Sequence, residues 1–279
     1  MTAPKLRDLA AQQAATSDAS AALRVPRLSI ASPAYNEAEG IAATVTHWVK
    51  YLEEARIARS YEIVICNDGS KDDTSLRLQE LASRYPILKV VHHEVNRGAA
   101  AAVRTAISNT TGDWVLLLDS DGQFPVENLE QMWKAAVAWD ADAVIGCREQ
   151  KEDTAFARFG SWSSTLVCGF IYKRRLRDSS SALQLVRGSL LRSLDLESRG
   201  LNSSTEITGR LLEMEDCVRV FEVQARHLPR STGRSSRTFF RDSWHRFLFV
   251  MYLAMRRFLL KRRVLEVPHE LAAQRRKPQ

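Results

Sequence analysis

Long apolar runs are missing from this 279-residue sequence. None approaches the ~20 residues that a membrane-spanning helix needs. The N-terminus also lacks the apolar core of a secretory signal, which argues against secretion. Cysteine is scarce. The four residues, Cys66, Cys147, Cys168 and Cys217, are too far apart for a CxxC metal pair or a disulfide framework, so reduced thiols in a cytoplasmic setting are expected. Glycine (12) and proline (8) are modest, while apolar residues make up 45% and charged residues 26%. That composition excludes collagen-like, low-complexity and wholly disordered chains. Several nucleotide and metal motifs are absent too. The turn after the first apolar run holds Pro33 and Glu37 but no glycine, so it cannot make the close pyrophosphate approach of GxGxxG. There is no GxxxxGK[ST] phosphate loop, and the six histidines show no HExxH spacing. His92-His93, the only histidine cluster, is expected to be a surface pair.

Charge is present but unevenly placed. From Val218 to Gln279 there are 15 Lys and Arg against 4 Asp and Glu, a net of +11. The preceding residues carry 25 basic against 29 acidic groups, a net of −4. A mildly acidic body with a basic end points to an anionic partner at that end. In this segment Phe239-Phe240, Trp244, Phe247 and Phe258-Leu-Leu260 are interleaved with Arg241, Arg256-Arg257 and Lys261-Arg-Arg263. Its longest uncharged run, Phe247 to Met255, is too short to span a bilayer. Basic and aromatic residues mixed in this way suit a helix lying on an anionic membrane surface. A core or dimer-forming helix is the alternative.

Between these ends, short apolar runs alternate with helical patterns. Leu28–Ser32, Tyr61–Cys66, Leu88–His92, Trp114–Leu118 and Ala143–Gly146 read as strands. Ile41, Val45, Trp48, Val49 and Leu52 recur at helical spacing, and further helices are expected over Asp72–Arg84, Gly98–Ser108 and Glu127–Ala138. Trp114–Leu118 is apolar throughout and should be buried on both faces. The alternation predicts an α/β fold: a mostly parallel sheet flanked by helices. The chain divides into a flexible leader (1–26), a main domain (27–238) and a basic amphipathic tail (239–279).

Ligands of such sheets bind beyond the carboxyl ends of the strands. Five polar clusters fall there: Pro33-Ala-Tyr35-Asn36-Glu37, Asn67-Asp68-Gly-Ser70, Asn96-Arg97-Gly98, Asp119-Ser-Asp121-Gly-Gln123 and Arg148. If residues 119–123 stay extended, the side chains of Asp119, Asp121 and Gln123 share a face. Two carboxylates and an amide oxygen form a hard, all-oxygen donor set suited to Mg²⁺ or Mn²⁺, with a diphosphate completing the shell. Asn67 and Asp68 sit where a base or ribose could be hydrogen-bonded, and Asp72 or Asp73 can cap the following helix.

Pro33-Ala-Tyr35-Asn-Glu37, Asn67-Asp68-Gly-Ser70-Lys-Asp72-Asp73-Thr74, Asn96-Arg97-Gly98 and Asp119-Ser-Asp121, taken in order, resemble the motif set of family 2 inverting glycosyltransferases with the GT-A, Rossmann-like fold. Asp-x-Asp-x-Gln followed by an apolar residue and Pro (Asp119–Pro125) is similar to the polyprenyl-phosphate branch, of the dolichyl-phosphate mannose synthase type. The likeness extends through Gly146-Cys-Arg148, Arg158, Asp178–Arg187 and His227–Ser235. It implies a nucleotide site lined by Pro33, Tyr35, Glu37, Asn67, Asp68 and Arg97. It implies that Asp119 and Asp121 carry the reaction, with Gln123 completing a Mg²⁺ or Mn²⁺ shell. It implies that Arg148, Arg158, Arg230 and Ser235 receive the acceptor phosphate. The expected activity is inverting transfer of one sugar from a UDP- or GDP-sugar to an undecaprenyl- or dolichyl-type phosphate, by a protein attached peripherally to the inner face of the membrane. A homo-oligomer or a membrane-protein partner is left open. The same donor chemistry onto a glycan hydroxyl is the runner-up; it would need a general base, for which Asp178 and Glu206 are the candidates. A capped surface helix start explains Glu206 equally well. The non-enzyme alternative is a basic nucleic-acid- or membrane-binding protein. The intact Asp119, Asp121 and Gln123 set argues against it, and no nucleic-acid partner is expected.

Overall fold

Val25, fully buried, opens the first strand three residues earlier than the sequence suggests, because its N–H bonds Ile57 O at 2.8 Å and fixes the strand start. The computed structural model describes residues 25–148, 169, 176–198, 203–214, 217–229 and 251–252. Arg158, Arg230, Ser235, the leader up to residue 24 and all of the basic tail except Met251 and Tyr252 lie outside them.

The elements follow as β1 (Val25–Ala34), α1 (Ile41–Ala55), β2 (Ala58–Asp68), α2 (Thr74–Arg84), β3 (Leu88–His93), α3 (Ala99–Ser108), β4 (Trp114–Leu117), α4 (Asn128–Ala138), β5 (Ala143–Arg148), β6 (Gln184–Arg187), α5 (Gly188–Ser193), α6 (Ser203–Glu213) and β7 (Val220–Ala225). The strands form one seven-stranded sheet in the order β3-β2-β1-β4-β6-β5-β7. All neighbours are parallel except β6, which runs antiparallel to both β4 and β5. The expected mixed, mostly parallel sheet is therefore present. Strands β6 and β7 were not expected: β6 is only four residues long and follows a serine run, and β7 is a half-buried edge strand.

Alternation along each strand sorts the core into two layers. Leu28, Ile30, Ile63, Ile65, Trp114, Leu116 and Leu185 face α1, α2 and α4. Ala31, Val64, Cys66, Val115, Leu117 and Val186 face α3, α5 and α6. Strand β4 is buried throughout, as its composition predicts. On the first face, the Trp114 and Trp133 rings meet edge to face with centroids 5.3 Å apart.

The sheet order reverses direction at β1, which has β2 on one side and β4 on the other. A crevice for ligands opens at such a switch point. Among the described residues, no helix is long and apolar enough to cross a membrane.

Candidate active site at the carboxyl edge of the sheet

Parallel register brings the polar clusters to one edge. Ala34 is opposite Asn67, Asn67 opposite His92, and Asp68 opposite His93. Leu118 N–H bonds Ala31 O at 3.2 Å, carrying β4 toward the end of β1. There Ser120 Oγ donates to Pro33 O at 2.8 Å. The turn holding Asp119 and Asp121 is thus stitched to the loop holding Pro33 and Tyr35.

The loops after β1 and β2 hold each other. Asn36, at φ 54°, donates its N–H to Ser70 Oγ (3.0 Å) and accepts Lys71 N–H on Oδ1 (2.8 Å). Glu37 N–H donates to Thr74 Oγ1 at 2.8 Å, and Ala38 N–H to Asp72 Oδ2 at 3.1 Å. Asp72 also accepts Thr74 N–H, so it caps the start of α2. Partial burial would raise the Asp72 carboxyl, but the hydrogen bonds from Thr74 and Ala38 win and hold it below the usual carboxylate range.

Asp68 and Asn67 are buried, at 2% and 3% exposure. Asp68 accepts the N–H groups of Arg97 (2.9 Å) and Gly98 (2.8 Å), and His93 Nδ1 lies 2.6 Å from its Oδ1. Asn67 Oδ1 accepts the Ser70 hydroxyl at 2.6 Å, and its Nδ2 is 3.2 Å from His92 Nδ1. These bonds shape the pocket from beneath, setting the Asn96–Gly98 backbone while the Arg97 side chain projects into solvent. The expectation of a surface histidine pair is corrected for His93: it is buried between Asp68 and Thr105, because the sheet edge there is roofed by α3. Beside it, burial first and Asp68 second push the Cys66 thiol up to about 12, so this cysteine is inert at neutral pH.

Gly69 is where these loops come closest. It adopts φ +64°, and a Cβ there would stand 2.5 Å from both Asn96 N and Val95 C. Gly69→Ala is expected to cost ~1–2 kcal/mol for the left-handed backbone alone. Displacement of the 95–96 backbone adds to that. Urea denaturation should show the loss, and nucleotide affinity should fall with it; unchanged stability would mean the loops do not pack as described.

The extended reading of residues 119–123 is corrected. The chain turns at Ser120-Asp121, Gly122 takes φ +73°, and Asp121 Oδ1 accepts Gln123 N–H at 3.1 Å. Asp119, Asp121 and Gln123 are still half-buried neighbours, gathered by a turn instead of by strand alternation. Among the described residues, Asp121 Oδ2 makes no hydrogen bond or ion pair, and no group of three or more His, Cys, Asp or Glu could hold a metal. Two carboxylates and an amide on an accessible turn suit a hard cation that takes its remaining ligands from a diphosphate and water.

Across β6 the edge continues. Gln184 is opposite Leu117 on one side and Ile145 on the other, so Asp119 and Arg148 extend past the same register. Arg148 meets Asp178 as a fork, Nε to Oδ2 at 2.7 Å and Nη2 to Oδ1 at 3.1 Å, and Nη2 also reaches Ser180 Oγ at 3.2 Å. Asp178 is 1% exposed. After β7, Leu228 N–H bonds Gln123 O at 2.7 Å and His227 packs edge to face on Phe124. The chain after β7 (226–229) is therefore seated on the Asp121–Gln123 turn.

The surface-helix reading of Glu206 is corrected as well. Glu206 is fully buried, accepts the N–H groups of Glu197 and Ser198 at 2.8 Å each, and stands 3.4 Å from Arg210, itself 2% exposed. The Ser-Ser-Thr-Glu pattern carries no sign of this, because the groups that bury it arrive from α5 and the loop after it. Sequence reasoning also passed over Gln184, Ser120 and Glu222. Gln184 donates Nε2 to Ser204 O at 3.1 Å and ties α6 to the sheet. The one signal for it was the stretch Asp178–Arg187 within the resemblance.

The model for glycosyl transferase family 2 matches residues 29–192. The chain is 34% identical over 132 residues to dolichyl-phosphate beta-glucosyltransferase ALG5A of Trichomonas vaginalis, covering 45% of this chain and 41% of that protein. It is 26% identical over 218 residues to dolichol-phosphate mannosyltransferase of Pyrococcus furiosus, covering 75% and 60%. The matched part is thus less than two thirds of either relative's length. In fold, the chain is similar to glucosyl-3-phosphoglycerate synthase from Mycobacterium tuberculosis, solved in complex with Mn²⁺ and uridine-diphosphate-glucose. The TM-score is 0.62 at 17% identity, covering 92% of this chain and 84% of that one.

Proposed function

The chain belongs to glycosyl transferase family 2, and from that premise we propose that it moves one sugar, with inversion, from a nucleotide diphosphate sugar to a polyprenyl phosphate. The donor would lie in the crevice between the β1, β2 and β4 loops. The named relatives act with dolichyl phosphate, and the similar fold was solved with Mn²⁺ and a UDP-sugar. Asp119, Asp121 and Gln123 would hold Mg²⁺ or Mn²⁺ there. When bound, the cation neutralises charge building on the diphosphate leaving group.

The acceptor reading is carried by one observation. Both carboxylates that could serve a hydroxyl acceptor as base are already occupied: Asp178 by Arg148, and Glu206 by two backbone N–H groups. A hydroxyl needs a base within hydrogen-bond reach. A phosphate oxygen is already an anion at neutral pH and needs none. Arg148 is proposed to attract such an anion by its permanent charge, since its Nε and Nη2 fork is held by Asp178. Arg158, Arg230 and Ser235 are proposed to share this task. The basic tail is proposed to hold the protein at an anionic membrane surface, where a polyprenyl phosphate presents its head group.

The test is steady-state transfer to a short-chain polyprenyl phosphate, compared with a neutral oligosaccharide. Arg148→Ala would also strand buried Asp178 without its counter-charge, so the cleaner variant is Arg148→Gln with Asp178→Asn, which keeps a neutral hydrogen-bonded pair. It should raise the acceptor KM about tenfold or more, since each lost charge-assisted contact is worth ~1.5–3 kcal/mol, while the donor KM stays within about twofold. A better rate with the oligosaccharide would overturn the phosphate acceptor.

A further inference from the structure

Glu222 lies in the middle of edge strand β7, opposite Ile145, with no role in the donor crevice. Its carboxylate nevertheless has a full set of partners. Arg177 N–H donates to Oε1 and Oε2 at 3.0 Å each, Asp178 N–H to Oε1 at 3.2 Å, and the Cys147 thiol to Oε1 at 3.3 Å. Burial, and next to it the Glu222 charge, push that thiol up, so it stays protonated and remains a donor. The carboxylate thus grips the backbone of the residue whose side chain grips Arg148. Asp178 is fixed again from the other side, by Ser180 N–H (3.3 Å) and Ser180 Oγ (3.1 Å) on Oδ1.

A half-buried carboxylate that spends its hydrogen bonds on two consecutive backbone N–H groups is building a loop, and this loop carries the carboxylate that meets the Arg148 fork. Arg148 sits at the end of β5, 13% exposed along its side chain. With five N–H donors in a rigid plane, rotating the guanidinium moves every donor at once. We infer that Glu222 is a positioning residue for the acceptor: it clamps the 177–178 backbone, which orients Asp178, which aims Arg148 at the acceptor anion. The last link rests on the acceptor reading above.

The test uses Glu222→Gln in the full chain. The amide keeps the shape and one accepting oxygen, but it turns a donor toward the N–H groups. The acceptor KM should rise about 10- to 100-fold, as expected for a misaimed binding group, with the donor KM within about twofold and the melting temperature close to wild type. Adding Arg148→Gln with Asp178→Asn to Glu222→Gln should cause no further loss, because the effect runs through one guanidinium. Additive losses would overturn the inference. A second readout needs no acceptor. The Arg148 Nε–H proton, bonded to Asp178, should exchange slowly by NMR in the wild type and quickly in Glu222→Gln. If it stays protected in the variant, the clamp is overturned. If instead the wild type prefers a neutral oligosaccharide, the acceptor reading fails, and the clamp is judged on this signal alone.

Discussion

Asp121→Ala should abolish sugar transfer and leave the fold standing. The structural loss is small: Asp121 is half-buried and, among the described residues, it bonds only Gln123 N–H, worth ~1 kcal/mol. The chemical loss is large. Removing a carboxylate from a two-carboxylate site takes away most of what would hold a cation against the diphosphate, and such charge stabilisation is worth several kcal/mol. At 1.36 kcal/mol per decade, kcat should fall by about a thousandfold or more. Asp121→Asn separates the two effects. It keeps an oxygen for the Gln123 N–H but loses the charge, so it should fail nearly as badly. The control is thermal stabilisation by Mn²⁺ with nucleoside diphosphates, which should be present in the wild type and missing in both variants. Full activity of Asp121→Asn, or of the wild type in excess EDTA, would sink the metal assignment.

The second large effect is on stability. Glu206 and Arg210 are buried partners one turn apart on α6, with Glu197 and Glu213 at 3.6 and 3.8 Å from the same guanidinium. Arg210→Ala leaves the Glu206 charge in the interior with backbone N–H groups as its remaining partners. Breaking a buried pair from one side costs ~3–5 kcal/mol. Glu206→Gln should cost less, since it turns one accepting oxygen into a donor facing an N–H group. The double change Arg210→Met with Glu206→Gln should recover part of the loss, because the fully buried Glu206 charge is then removed together with its partner. Urea midpoints at constant slope would show this order. Single and double variants of equal stability would contradict the buried network. This bears on catalysis too. Tyr252 donates to Glu197 at 2.5 Å, and Arg104 to Ser198 O at 2.5 Å, so the 194–198 loop ties α3, α6 and the chain near residue 252 together. An activity loss in Glu206→Gln must therefore be corrected for the folded fraction before Glu206 is counted as a base.

Strands β1 to β5 and helices α1 to α4 were legible in the sequence because each carries its own periodicity. Ile41, Val45, Trp48, Val49 and Leu52 are the buried stripe of α1, and Trp114–Leu118 is apolar because both faces are covered. The polar edge was legible for a related reason: in a parallel sheet, residues just past each strand come together whatever the strand order. Other features had no local signature. Strand β6 is four residues inserted antiparallel between β4 and β5, and only the sheet's hydrogen-bonding needs place it there. Gly122 was visible as a residue, but its φ of +73° decides that Asp119 and Asp121 meet in a turn. Glu206, His93, Asp178 and Glu222 are polar side chains whose composition predicts exposure. His93, Asp178 and Glu222 are instead held by groups distant in the chain, as Arg148 and Asp178 are 30 positions apart, and Glu206 by Glu197 and Ser198 from the loop after α5 and by Arg210 one turn along α6. The sequence determines periodicity, and with it the elements and the edge where ligands meet the fold. Which polar groups are used up in holding that edge, and which remain to face a substrate, is decided by partners that only the tertiary fold brings within hydrogen-bond reach.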